Sequence, residues 1–150
     1  MQSVRDVFRF FVGTWCLKRV LGNQGTARGV AEFTLTDPDV LHYREELIVH
    51  YRGRASLHHA YKDYVYRYNA RSDQLVKQFS DGQIFYDLDV KFGLRKAYGN
   101  HLCGQDMYHA TYNFADDDNS FTLSYGVHGP KKAYVIGTCY ERKLPVISLC

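Results

Sequence analysis

The sequence predicts an all-β protein: a single closed antiparallel barrel of about eight to ten strands behind a short N-terminal helix. Three observations lead there. Two-residue alternation of apolar and polar side chains runs almost unbroken from Trp15 to Arg142. No helical pattern separates the strands, which argues against a parallel sheet built from βαβ units. The two ends carry Gly13-Thr14-Trp15 and Thr138-Cys139-Tyr140-Glu141-Arg142, strands that would meet if the sheet closes on itself. Alternation alone suits a sandwich equally; the matching ends favour the barrel.

The elements follow in order. Ser3 to Phe11 reads as a helix, with Ser3 as its cap, Asp6 in the first turn, and Val4, Val7, Phe8 and Phe11 on one face. Such a helix either plugs one end of a barrel or packs outside it. After Gly13, Trp15, Leu17, Arg19 and Leu21 share one face of the first strand. The turn Gly22-Asn23-Gln24-Gly25 leads to Ala27, Gly29, Ala31, Phe33 and Leu35 on a second. Asp37-Pro38-Asp39 turns the chain into Leu41, Tyr43, Glu45, Leu47 and Val49. Gly53 and its basic neighbours read as a loop or bulge. Tyr64, Tyr66 and Tyr68 alternate next, then Leu75, Lys77 and Phe79 after a turn at 69–73. Asp81-Gly82 is a hairpin signal ahead of Ile84, Tyr86, Leu88 and Val90. Residues 91–100 look irregular. From His101 one long strand carries Asp106, Tyr108, Ala110, Tyr112 and Phe114. An acidic turn at 116–118 precedes Phe121, Leu123, Tyr125 and Val127, and Gly129-Pro130 precedes the final strand with Tyr134, Ile136, Thr138, Tyr140 and Arg142.

Bulk properties narrow the function. The 150 residues suffice for one domain, 1–150, with a substantial core. Tyrosine dominates the 15% aromatic content with 13 residues, which suits a semi-polar cavity wall or the outer face of a sheet. A net charge of +3 without a basic run argues against nucleic acid. Arg5, Asp6 and Arg9 interrupt any apolar leader, and no stretch is long enough for membrane insertion. The four cysteines show no C-x-x-C spacing, so a cytoplasmic protein with reduced thiols is the expectation. A Cys16–Cys139 disulfide would need the end strands to pair. The apolar tail Leu144 to Cys150 either packs on the barrel or seeds a homodimer.

Period two sets three charged residues on faces that otherwise read as interior: Arg19, Glu45 and Asp106. A buried charge needs a partner or water. The functional reading is a polar floor for a ligand's head group, with Arg19 as anion anchor. The structural reading is an ion-pair network that fixes strand register. His101, Cys103, Asp106 and Tyr108 are the densest reactive group. On one strand the first two face away from the last two unless a bulge intervenes near Gly104, which weakens a Cys-His pair or a metal site. The adjacent His58 and His59 would face opposite ways, and His109 and His128 show no clear partner. Nothing local specifies haem, so neither metal nor cofactor is expected. Gly129-Pro130-Lys131-Lys132 lacks the residues of a phosphate loop and reads as a hairpin with exposed lysines.

Gly13-x-Trp15 with Arg142 resembles the calycin superfamily, the lipocalins and fatty-acid-binding proteins, in which a last-strand arginine covers a first-strand tryptophan. A closer resemblance covers most of the chain: Trp15-x-Leu17-x-Arg19, Tyr43-x-Glu45, Asp81-Gly82-x-x-Phe85, His101-x-Cys103-x-x-Asp106-x-Tyr108 and Gly129-Pro130-x-Lys132-x-Tyr134. That set is similar to a domain-of-unknown-function family with a calycin-like barrel. This chain departs from it at Tyr86, where relatives tend to have His, and at Ala133, where they tend to have Asp. The resemblance implies Trp15 and Arg142 as a structural signature. The expected function is non-covalent binding of a small, partly apolar, acidic ligand by Arg19, Tyr43, Glu45, Tyr86, Asp106, Tyr108, Lys132 and Tyr134. The alternatives are a small barrel enzyme using Asp106 or Glu45, desolvated to a raised pKa, as general acid or base, or a protein-interaction module with a filled barrel.

Overall fold

A computed structural model describes residues 1–143; the predicted role of the tail at 144–150 lies outside the described residues. Among the described residues, helix α1 (Val4–Phe11) precedes ten strands: β1 (Gly13–Leu21), β2 (Gly25–Asp37), β3 (Val40–Tyr51), β4 (Leu57–Asn69), β5 (Gln74–Phe79), β6 (Ile84–Lys91), β7 (Lys96–Cys103), β8 (Asp106–Phe114), β9 (Ser120–Gly129) and β10 (Lys132–Arg142). A 3-10 turn at Phe92–Leu94 separates β6 from β7. Every strand is antiparallel to its neighbours, and β10 closes the sheet onto β1 with Trp15 opposite Arg142. Closure removes the unpaired edges that an open sheet would expose. None of the described helices is long and apolar enough to cross a membrane.

The helix is a plug. The Ser3 hydroxyl accepts the Asp6 amide and starts α1. The last turn then drives Phe10 and Phe11 into the barrel. Phe11 stacks on Phe33 at 5.0 Å and meets Tyr66 at 5.3 Å and Phe121 at 5.4 Å. Phe10 packs edge-on against Phe114 at 5.3 Å. Arg142 locks the assembly: its guanidinium lies 4.2 Å over the buried Trp15 ring and donates to the carbonyls of Phe10 at 2.8 Å and Val12 at 2.9 Å. Those carbonyls sit at the helix end, where intrahelical donors run out. The Trp15 indole N–H donates to the Phe11 carbonyl at 2.9 Å.

Two expectations from the alternation need correction, and the conditional disulfide does not form. Residues 96–100, read as irregular, belong to β7. The long strand from His101 is instead a hairpin: Cys103 ends β7, Asp106 begins β8, and Gly104 turns between them at φ +61, a conformation that glycine adopts freely. His101 consequently pairs with Tyr108 across the hairpin. The loop read around Gly53 is present and runs to Ser56; β4 then pairs with β3 from Leu57 onward, whereas β5 joins β4 only from Tyr64. Finally, Cys139 is free and lies opposite Lys18, while Cys16 lies opposite Glu141, so the Cys16–Cys139 bridge does not form.

One irregularity matters for the interior. Register shifts between Lys77 and Gln78, so Lys77 faces Tyr86 and Gln78 faces Ile84. The extra residue is Phe85, and the bulge turns both Phe85 and Tyr86 inward, both buried. Gly99 makes room for this on β7, since a Cβ there would lie 2.2 Å from the Tyr86 ring.

Candidate functional site

The plug fills one end of the barrel. Above it lies a layer of polar side chains, and above that layer a cavity of about 360 Å³. Leu47, Val49, Ala27, Leu123 and Ile136 form apolar staves of its wall; Tyr64, Phe85, Tyr108 and Tyr125 form an aromatic side. Ala60, Tyr61 and Lys62 extend the wall where β4 outruns β5. The turns at the ends of β1, β3, β5, β7 and β9, opposite the helix, surround the mouth.

The floor contains two hydrogen-bonded systems. In the first, Arg19 and Glu45 form a bidentate pair at 2.6 and 2.9 Å. The third donor of the Arg19 fork reaches the Thr138 hydroxyl at 2.8 Å. The Tyr43 hydroxyl donates to the same carboxylate at 2.7 Å and lies 2.8 Å from the Tyr140 hydroxyl. Burial alone would raise the Glu45 carboxyl, but the Arg19 bonds outweigh it and hold Glu45 below the ordinary carboxylate range. Arg19 is likewise opposed by burial and held charged by Glu45. The raised-pKa premise for Glu45 as a general acid is therefore wrong: the alternation reveals that Glu45 is buried but not that a guanidinium grips it.

The second system is centred on Lys77, which is 3% exposed. Its ammonium donates to the Tyr125 hydroxyl at 2.9 Å, and Tyr125 continues to Tyr86 at 2.7 Å and on to Tyr112 and Tyr66. The Tyr64 ring lies 4.1 Å away, with Tyr43, Tyr66, Phe85, Tyr86 and Tyr125 between 5.4 and 5.8 Å. Among the described residues no carboxylate is within ion-pair distance of Lys77. Burial brings its pKa down to about 7, with Glu45 pulling upward and Arg19 and Lys62 pushing down. The same burial pushes Tyr64 and Tyr140 up to about 12, so these phenols stay neutral donors.

The structure distributes the sequence-predicted residues over three levels. Arg19, Glu45 and Tyr43 meet in the floor. Tyr86 lies behind it, bridging Tyr112 and Tyr125. Tyr108 lines the cavity wall. Asp106 and Lys132 pair with each other at 3.2 Å, with Lys132 half-exposed, and Tyr134 is exposed beside them near the mouth. The face assigned to Asp106 is right, but its place at the start of β8 lifts it to the rim, so it does not join the floor. His101 packs against Phe85 at 5.1 Å and Phe79 at 5.7 Å. Among the described residues no three His, Cys, Asp or Glu side chains converge as metal ligands.

Lys77 is the residue that sequence reasoning missed. Its signal was present: it sits between Leu75 and Phe79 on one face of a strand, as Arg19 sits between Leu17 and Leu21. Phe85 carried no such signal, because only the bulge turns it inward.

Residues 11–142 match the model described as "Family of unknown function (DUF6314)". Among curated proteins nothing matches the chain. Among solved structures the chain is similar to the S-type phycobiliprotein lyase CPES from Guillardia theta, at 9% identity and TM-score 0.68, over 95% of this chain and 94% of that one. It is also similar to a de novo designed fluorescence-activating β-barrel, at 12% identity and TM-score 0.51, over 92% of this chain and 98% of the design. A third is EF1p2_mFAP2b bound to DFHBI, at 13% identity and TM-score 0.51, over 94% and 100%. At these identities the likeness is one of fold.

Proposed function

The chain belongs to the DUF6314 family of unknown function, and for this member we propose non-covalent binding of a small, partly apolar molecule that carries an acidic group. The observation that carries the reading is the charge count of the floor. Arg19 and Glu45 cancel, which leaves the Lys77 cation without a counter-ion among the described residues, at the base of an apolar cavity. A bound anion supplies that counter-ion and restores the charge that burial suppresses. Lys62 on the wall has the same sign and draws the acidic end inward. The staves and rings give contact area to the remainder of the molecule. That a barrel of this fold is known with DFHBI bound agrees with the reading but does not carry it.

This assignment moves the anion anchor from Arg19, whose fork is occupied by Glu45 and Thr138, to Lys77. The test compares two fluorescent probes of one shape: 8-anilinonaphthalene-1-sulfonate and N-phenyl-1-naphthylamine, which lacks the sulfonate. The anionic probe should bind about tenfold more tightly, a difference near ~1.4 kcal/mol, and Lys77→Met should erase that preference. Equal binding of the two probes, or saturable binding of neither, overturns the proposal. Native mass spectrometry of protein purified from its own source then identifies the retained molecule.

A further inference from the structure

We propose that Lys77 also forms a reversible covalent imine with an apolar aldehyde held in the cavity, making the floor a carbonyl-capture site as well as an anion seat. This rests on the container reading above and deepens it by naming a second ligand class for the same cavity.

The geometry supplies what amine–carbonyl condensation requires. The amine lines the cavity floor, and its hydrogen-bond partner is a neutral phenol rather than a carboxylate that would hold it protonated. Arg19 on the facing wall and Lys62 above it disfavour a further positive charge, while Glu45, the acid that would favour one, is bound by Arg19. Desolvated lysines near other cations are the ones that serve as amine nucleophiles. The cavity, about 360 Å³ and lined by apolar staves that include Leu47, Val49 and Leu123, gives apolar contact to an aldehyde's tail.

The step balances without any further reagent. The Nζ lone pair attacks the carbonyl carbon, the C–N bond forms, and the carbonyl π bond opens onto oxygen, which takes up the proton that nitrogen gives up. The resulting carbinolamine loses its hydroxyl as water while C=N forms and the nitrogen proton is released. The Tyr125 hydroxyl, 2.9 Å from Nζ, is placed to hand a proton to the departing oxygen and to recover one from nitrogen. Its bond to Tyr86 keeps the phenol aimed through both transfers. Because the only by-product is water, adding water reverses the capture.

The experiment uses the full chain, decanal as probe and sodium cyanoborohydride to trap the imine as a stable decyl-lysine at neutral pH, followed by peptide mass mapping. Lys77 should carry the decyl group on the order of a hundredfold above any surface lysine, since an ordinary lysine holds little free amine at that pH. Excess 8-anilinonaphthalene-1-sulfonate should suppress the label. In Lys77→Arg the label should vanish while sulfonate binding persists. If the label falls on the N-terminus and surface lysines while Lys77 stays unmodified and the dye still binds, the imine proposal fails and the container reading stands. If Lys77 stays unmodified and the dye does not bind, both fail. Mapping on the unmodified sequence keeps the test decisive even where a variant does not fold.

Discussion

The Lys77 ammonium makes stability depend on pH in a direction opposite to most proteins in the mildly alkaline range. Its pKa is about 7 in the folded chain against 10.5 for an exposed lysine. Between those values the unfolded chain binds a proton that the folded chain does not, so unfolding free energy rises with pH. Integrating from about pH 7.5 to about pH 9 gives a gain of about 2 kcal/mol from this one group, at roughly 1.36 kcal/mol per pKa unit. Any other group that titrates in that window does so equally in Lys77→Met. The measured quantity is therefore the difference between the two proteins. Urea unfolding followed by the fluorescence of the fully buried Trp15 reads it directly. The advantage of Lys77→Met over the parent protein should shrink by about 2 kcal/mol across the window. Parallel profiles, agreeing within about 0.5 kcal/mol, would mean that the folded chain keeps its ammonium, and the argument for a neutral amine would collapse.

Two further outcomes follow from the ionic floor and the lock. Glu45→Ala leaves the Arg19 guanidinium buried without its carboxylate and should cost about 3–5 kcal/mol, while Arg19→Met/Glu45→Leu should recover most of that; thermal unfolding separates the two, with a drop on the order of 10 °C expected for the single variant. Because Glu45 titrates below its unfolded value, its contribution is complete above the ordinary carboxylate range and disappears as pH falls through the lowered one. Arg142→Ala removes three carbonyl bonds, to Phe10, Val12 and Asp118, and the contacts with the Phe10 and Trp15 rings, and should cost about 2–4 kcal/mol with loss of the helical circular-dichroism signal; retention of the helix signal would show that α1 is seated without the arginine.

Much of this was readable in the sequence because a barrel enforces period two. The capping Ser3 and the interior placement of Arg19 and Glu45 follow from capping chemistry and alternation, and the approach of Trp15 and Arg142 is what the calycin resemblance implied. What escaped was wherever the chain departs from that period. Gly104 splits a run that alternates correctly on both sides into two strands, and so turns His101 toward Tyr108. The bulge at Phe85 reverses the face of one ring. Height along the barrel also leaves no mark on alternation: Asp106 and Glu45 occupy equivalent faces, yet one ends at the rim and the other under the cavity. Partner choice is invisible for the same reason, so nothing local distinguishes Arg19, gripped by a carboxylate, from Lys77, which among the described residues meets phenols and rings.

The clasp of Arg142 on the carbonyls of Phe10 and Val12 joins positions separated by 130 residues or more. During synthesis α1 emerges before the ten strands and β10 after the other nine, so the clasp on the helix end can close only once β10 has left the ribosome. Contacts so distant in sequence slow folding and lengthen the interval in which apolar rings are open to other molecules. A translation pause ahead of β10 would prolong that hazard, and a chaperone that shelters the first turns of the nascent chain would relieve it.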